Sequence, residues 1–134
     1  MFEAVGGGQG APGGRSGGGP GGGQGGAKRK RRASVGLDDE QLATVAERAA
    51  DGCAVLGLRF TGDPMVPGER FATLRAALGK NFIGVEITSP DETHGIGKGA
   101  HSVLTEERSD TPGHPTKESF DQVLGFLTSR LNAA

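Results

Sequence analysis

Bulky apolar side chains are almost absent between Val5 and Val35 and recur in short bursts after Leu37, so the chain divides before its composition is counted. Leu42, Val45, Ala46 and Ala49 repeat at helical spacing. Asp38, with Gln41 three residues on, makes a capping-box start for that helix, and Gly52 supplies a left-handed stop. CAVLGLRF (53–60) follows as an apolar run without alternation, the pattern of a strand covered on both faces. Pro67 and then Glu69 to Leu78, with Phe71, Leu74 and Leu78 on one face and Gly79 behind, predict a second helix. FIGVEI (82–87) predicts a second strand. Two such strands joined by a helix form a βαβ unit, expected to be parallel with a right-handed crossover. After a polar loop, Thr116 is placed to cap a last helix whose Phe120, Val123, Leu124, Leu127 and Leu131 form the longest apolar stripe in the chain. The fold class is α/β: a parallel βαβ unit with flanking helices.

Composition sharpens the division. Of the 26 glycines in 134 residues, 15 fall in residues 1–36. Burial there is too small to offset the entropy of ordering glycine, so residues 1–36 are expected to be a disordered Gly-rich, basic tail and residues 37–134 the folded domain. The net charge of −1 conceals an asymmetry, because the tail carries six basic and one acidic residue and the remainder nine basic and fifteen acidic. A single cysteine, Cys53, excludes an internal disulfide. Neither a basic-then-apolar leader nor a membrane-length apolar run is visible, so the expected location is cytoplasmic.

Candidate chemistry gathers after the two strands. Asp63, in Thr61-Gly62-Asp63-Pro64, directly follows the first, where loops of open α/β sheets carry function, and an acid there can orient an imidazole. Gly-Asp-Pro is equally ordinary turn chemistry. His101, beyond a glycine-rich loop after the second strand, is a candidate general base. His94, closer to the strand end, is its rival, and His114, between Gly113 and Pro115, reads as a turn residue. Without a cysteine pair or ligand spacing among the histidines, neither a metal site nor a cofactor is expected. Gly14-Arg15-Ser16-Gly17-Gly18 matches G-x-S-x-G in letters but lacks the strand and helix that a nucleophile elbow requires. Cys53, at a strand start, is expected to be structural. The run Lys28, Arg29, Lys30, Arg31, Arg32 is compact enough for weak polyanion or nucleic-acid binding, although no aromatic residue is interleaved for base stacking. Arg31-Arg32-Ala33-Ser34 also resembles a site for a basophilic kinase.

LGLRFTGDPMVPGERF (56–71), FIGVEI (82–87), HGIGKGAHSVLTEE (94–107) and the last helix together resemble the carboxy-terminal part of a dienelactone hydrolase-like member of the α/β-hydrolase superfamily. The resemblance implies a partial α/β-hydrolase fold, with Asp63 as triad acid and His101, or else His94, as general base for ester or lactone hydrolysis by a Ser or Cys nucleophile. The strands, nucleophile elbow and oxyanion-hole loop that precede this part in the family are replaced here by glycine and arginine. The chain is therefore expected to be inactive alone, as a truncated or frame-shifted product would be, with an apolar edge where a preceding strand would pair. An interaction or nucleic-acid-binding protein acting through its basic tail is the alternative.

Overall fold

The structure, a computed structural model, describes residues 23–133. In chain order these form helices α1 (Gly23–Ala33) and α2 (Asp39–Ala50), strand β1 (Val55–Phe60), helix α3 (Gly68–Leu78), strand β2 (Phe82–Ile87) and helix α4 (Pro115–Leu131). The described residues thus form a mixed α/β structure with a two-stranded parallel sheet. Val55 lies opposite Phe82 and Phe60 opposite Ile87, with α3 making the crossover.

Local chemistry accounts for most boundaries. Asp38 caps α2 by accepting from the Gln41 N–H at 2.8 Å, while the Gln41 side chain accepts from the Asp38 N–H at 3.0 Å. Gly52 then takes φ 109°, a conformation open to glycine at little cost. Pro67 precedes the first turn of α3, and Gly79 at φ 53° ends it.

The strands are not uniformly apolar. Leu58 and Phe60 join Val85 and Ile87 on one face, packed with Ile96, Ala100 and Val103 from the following loop. On the other face lie Gly57, Arg59, Gly84 and Glu86, under α3. The glycines admit two aromatic rings: a Cβ on Gly57 would sit 3.0 Å from both Phe71 and Phe82, which meet edge to face at a centroid distance of 5.3 Å. What reads in sequence as an unbroken apolar run is therefore a period-two strand whose second face is small and charged. Among the described residues β1 pairs only with β2, so its other edge is open.

Two expectations need correction. Residues 23–33, expected to be coil within a disordered tail of residues 1–36, form α1; residues 1–22 of that tail, with the Ser16 motif, lie outside the described residues. Tertiary contacts supply what the local pattern lacks. Arg32 donates from Nε and Nη2 to the Glu69 carboxylate at 2.8 and 3.2 Å, and Thr73 Oγ1 donates to the Ala33 carbonyl at 2.8 Å. Lys30, Arg31 and Arg32 also occupy the last turn, where positive charge complements the helix dipole.

The second correction concerns α4. Its cap is His114, with Pro115 in the first turn, and not Thr116. Thr116 and Ser119 are the buried residues of the helix, whereas Leu124, Leu127 and Leu131 are 47%, 47% and 76% exposed. The first turns of α4 lie beside β2, where Pro115, Glu118 and Ser119 flank Val85 and Ile87. Of the predicted stripe, Phe120 and Val123 are half-buried, Phe120 with the Arg108 guanidinium 4.4 Å from its ring centroid, and only the three leucines stay uncovered among the described residues. No helix among the described residues is long and apolar enough to cross a membrane.

Candidate active site

The loops leaving the carboxyl ends of the two strands are stitched together before they reach any ionisable group. Thr61 N–H donates to the Ile87 carbonyl at 2.8 Å and Gly62 N–H to Ser89 Oγ at 2.9 Å. Ser89 N–H in turn donates to Thr61 Oγ1 at 3.0 Å. Gly62 sits so close that a Cβ there would lie 2.9 Å from the Ser89 carbonyl oxygen and 3.0 Å from that of Lys98. The loop after β1 is in this way wedged against both ends of the loop that leads to His101.

Arg59, read in sequence only as part of a strand, braces the same loop from the α3 side. Its Nε donates to the Val66 carbonyl at 2.9 Å and its Nη2 to the Thr61 carbonyl at 3.0 Å, on either side of Asp63. Its Nη1 pairs with Glu86 on the neighbouring strand. Glu86 also receives Arg75 Nη2 at 3.1 Å. Burial opposes the charge on Glu86, but the hydrogen bonds and charges of Arg59 and Arg75 outweigh it and hold its pKa below the ordinary carboxylate value.

Asp63 performs both of the roles open to it, one with each oxygen. Oδ1 accepts the N–H groups of Met65 at 2.8 Å and Val66 at 3.3 Å, which is the turn chemistry of Gly-Asp-Pro. Oδ2 lies 2.6 Å from His101 Nδ1. The carboxylate is sealed, at 1% side-chain exposure, while the His101 side chain is 43% exposed. Ala100 and Val103 are buried on either side of His101 and fasten its backbone to the core, leaving the imidazole to face outward. With Nδ1 committed to the acid, Nε2 makes no hydrogen bond among the described residues and is the nitrogen available to a reacting group. This is the orientation in which a carboxylate fixes the tautomer of a general base.

His94, the rival base, has a carboxylate of its own. Its Nδ1 lies 2.6 Å from Asp91 Oδ2, and its N–H donates to Asp91 Oδ1 at 3.3 Å. This pair, missed in the sequence, was signalled there by an Asp three residues before a His. It is a local cap on the 3₁₀ turn Glu92–His94, closed by the Asp91 to Ile96 bridge. The His94 carbonyl accepts from His114 Nε2 at 3.1 Å, and the two rings stand edge to face at 5.4 Å. His114 Nδ1 accepts from Thr116 N–H at 3.2 Å, so His114 is a structural tie between this loop and α4. Local capping explains the Asp91–His94 pair. The Asp63–His101 pair joins residues 38 apart from two different strand ends, and no turn requires it.

The other candidates lie elsewhere. Cys53, expected to be structural at a strand start, is exposed in the segment between α2 and β1. Lys28, Arg29, Lys30 and Arg31 are exposed along α1, with Arg32 engaged by Glu69. Among the described residues no group of three or more His, Cys, Asp or Glu side chains is placed to hold a metal ion.

Burial raises the energy of the Asp63 charge, but the hydrogen bonds from His101, Met65 and Val66, with the His101 charge, outweigh it and hold the pKa below the ordinary value. The unfolded chain therefore binds the proton more readily. Asp63 contributes stability that is complete above about pH 4–5 and lost as pH falls through its folded pKa. Glu69, Glu86 and Asp91 are shifted the same way and add to this acid limb. Urea denaturation between pH 7 and pH 3 is expected to show stability falling with acid, and falling less steeply in Asp63→Asn; an unchanged slope would remove Asp63 from the account.

Comparison with protein-family models, curated proteins and solved structures finds no match to the chain.

Proposed function

We propose that this chain carries the acid and base of an ester or lactone hydrolase, as the carboxy-terminal part of a dienelactone hydrolase-like α/β-hydrolase. The observation that carries the reading is the 2.6 Å contact between a sealed Asp63 and the Nδ1 of a half-exposed His101, at the carboxyl ends of adjacent parallel strands. In the proposed reaction His101 Nε2 takes the proton of a Ser or Cys nucleophile as it attacks the substrate carbonyl, and returns it to the departing alkoxide. The same nitrogen then takes a proton from water as it attacks the acyl carbonyl, and gives that proton to the Ser or Cys atom as its bond to the acyl carbon breaks and the acid product leaves. Asp63 stays ionised, holds the productive tautomer and stabilises the imidazolium.

The described residues contain no strand before β1, and hence neither nucleophile elbow nor oxyanion-hole loop is present among them. The open edge of β1 and the uncovered leucines of α4 leave room for further strands. The experiment joins this chain to an amino-terminal α/β-hydrolase segment bearing a Ser or Cys elbow and follows p-nitrophenyl acetate hydrolysis. The chain alone is expected to be inert and the joined protein to turn over substrate only with Asp63 and His101 intact. Turnover by the isolated chain that vanishes in His101→Ala, or turnover by the joined protein that survives it, overturns the reading.

A further inference from the structure

Ser34 is the first residue beyond α1, with its N–H still bonded to the Lys30 carbonyl at 3.1 Å and its side chain exposed. Arg31 and Arg32 stand three and two positions before it and Val35 directly after. Two arginines, a small residue, the hydroxyl and an apolar residue is the order that the acidic and apolar subsites of a basophilic serine kinase recognise. The hydroxyl also stands at the rim of something built. Arg31, Ser34 and Val35 form one wall, and Arg70, Phe71 and Leu74 of α3 the other, of an open hollow of ≈ 620 Å³. Arg70 donates from Nη1 to the Met65 carbonyl at 2.9 Å, while its Nε is shielded from solvent and has no hydrogen-bond partner. Arg31 has no ion-pair partner among the described residues. The lining of the hollow thus includes two arginines and no acid, and one of them carries a donor without a partner.

We propose that Ser34 is a phosphorylation site for a basophilic serine kinase, and that its phosphate is received by Arg31 and Arg70, fastening α1 to α3. In the transfer, Ser34 Oγ forms a bond to the γ-phosphorus of a nucleoside triphosphate, the bond from that phosphorus to the β–γ bridging oxygen breaks, and the nucleoside diphosphate leaves. The hydroxyl proton passes to the base of the kinase. Recognition requires Arg32 to leave Glu69, but that pair is 46% and 43% exposed, and exposed pairs contribute little. The product carries about −1.5 to −2 charges. At the end of α1 it meets the negative pole of the helix, equivalent to roughly half a charge. Against that stand two full positive charges with free donors, so attraction wins and the phosphate enters the hollow. Arg–phosphate pairing is often bidentate, and the unpartnered Arg70 Nε gains an acceptor by it.

The test treats the full chain with a purified basophilic serine kinase and ATP, locates the phosphate by tandem mass spectrometry and measures amide exchange with and without it. One phosphate on Ser34 is expected, absent in Ser34→Ala, with an initial rate at least tenfold lower in Arg31→Gln. Exchange across residues 23–33 is expected to slow severalfold on phosphorylation. Arg70→Gln is expected to accept phosphate normally yet lose that slowing, judged within the variant so that any effect on the unmodified protein cancels; Arg70→Lys, which keeps the charge, retains part of it. No phosphate on Ser34 overturns the site. Exchange in α1 that is unchanged or faster after phosphorylation, or slowed equally in Arg70→Gln, overturns the clamp.

Discussion

Arg59→Ala is expected to destabilise the protein by about 3–5 kcal/mol, the cost of leaving one member of a buried pair alone. The side chain is 6% exposed, and its guanidinium lies 5.7 Å from the centroid of Phe71. Its loss strands the carbonyls of Thr61 and Val66 and takes from Glu86 the better shielded of its two arginines. Glu86 is 34% exposed and keeps Arg75, which discounts its share and points to the lower end of the range. Against a typical domain stability of about 5–15 kcal/mol this is a large fraction. Because both carbonyls flank Asp63, the contact with His101 should loosen together with the fold. Urea denaturation checks the figure. A loss under about 0.5 kcal/mol, the scale of an ordinary surface substitution, would show that Arg59 does not brace the loop.

The larger expected effect on rate belongs to the acid–base pair. In the joined hydrolase, His101→Ala is expected to lower kcat/KM by about 10²–10⁴, the range for general acid–base catalysis by a placed side chain. Asp63→Asn keeps the shape of the acid but removes the charge that selects the tautomer, and its expected loss approaches roughly 10⁴. The two losses should not add, because the residues act as one unit. His94→Ala distinguishes the two acid–histidine pairs of the loop. Its hydrogen bonds close a turn with Asp91, so activity should stay within a small factor of the parent while stability falls. Steady-state kinetics on p-nitrophenyl acetate and on a lactone give all three numbers. A His94→Ala loss matching that of His101→Ala would move the base to His94.

The parts of the fold legible in sequence are those written in local chemistry. The Asp38 and Gln41 capping box, the Gly52 and Gly79 stops and the span FIGVEI each rest on residues within one turn or strand of one another. Strand pairing was also legible, since a helix of this length between two short strands leaves parallel packing as the economical route. Arg59 was not, because its partners lie on another strand and beyond a loop, and a single charge in an apolar run gives no sign of which face it takes. The α4 stripe misled for the complementary reason. Spacing reveals that leucines share a face, while the sheet beneath decides whether that face is buried, and Thr116 and Ser119 took the covered positions instead. α1 is not legible locally because its hold on α3 comes from Glu69 and Thr73, some forty residues away.

At the site, position after a strand singled out Asp63 and His101, but the choice between His101 and His94 depended on how the loop 88–101 folds back. Ser89 and Lys98 press on Gly62 from two points of that loop, and this close approach, invisible in spacing, carries His101 to the acid. The Asp91–His94 pair is signalled in sequence by its Asp-x-x-His spacing alone, the signature of a local turn and not of a strand end.

Asp63 holds the His101 imidazole by Nδ1 and leaves Nε2 without a hydrogen-bond partner among the described residues. Long-range ¹H–¹⁵N correlation of ring nitrogens at neutral to mildly alkaline pH reads this directly in the protein alone, with no nucleophile needed. Neutral His101 is expected to carry its proton on Nδ1, with an unprotonated Nε2, and Asp63→Asn is expected to abolish this preference while His94→Ala leaves it intact. A His101 ring protonated on Nε2 in the parent protein, or a tautomer indifferent to Asp63→Asn, would contradict it.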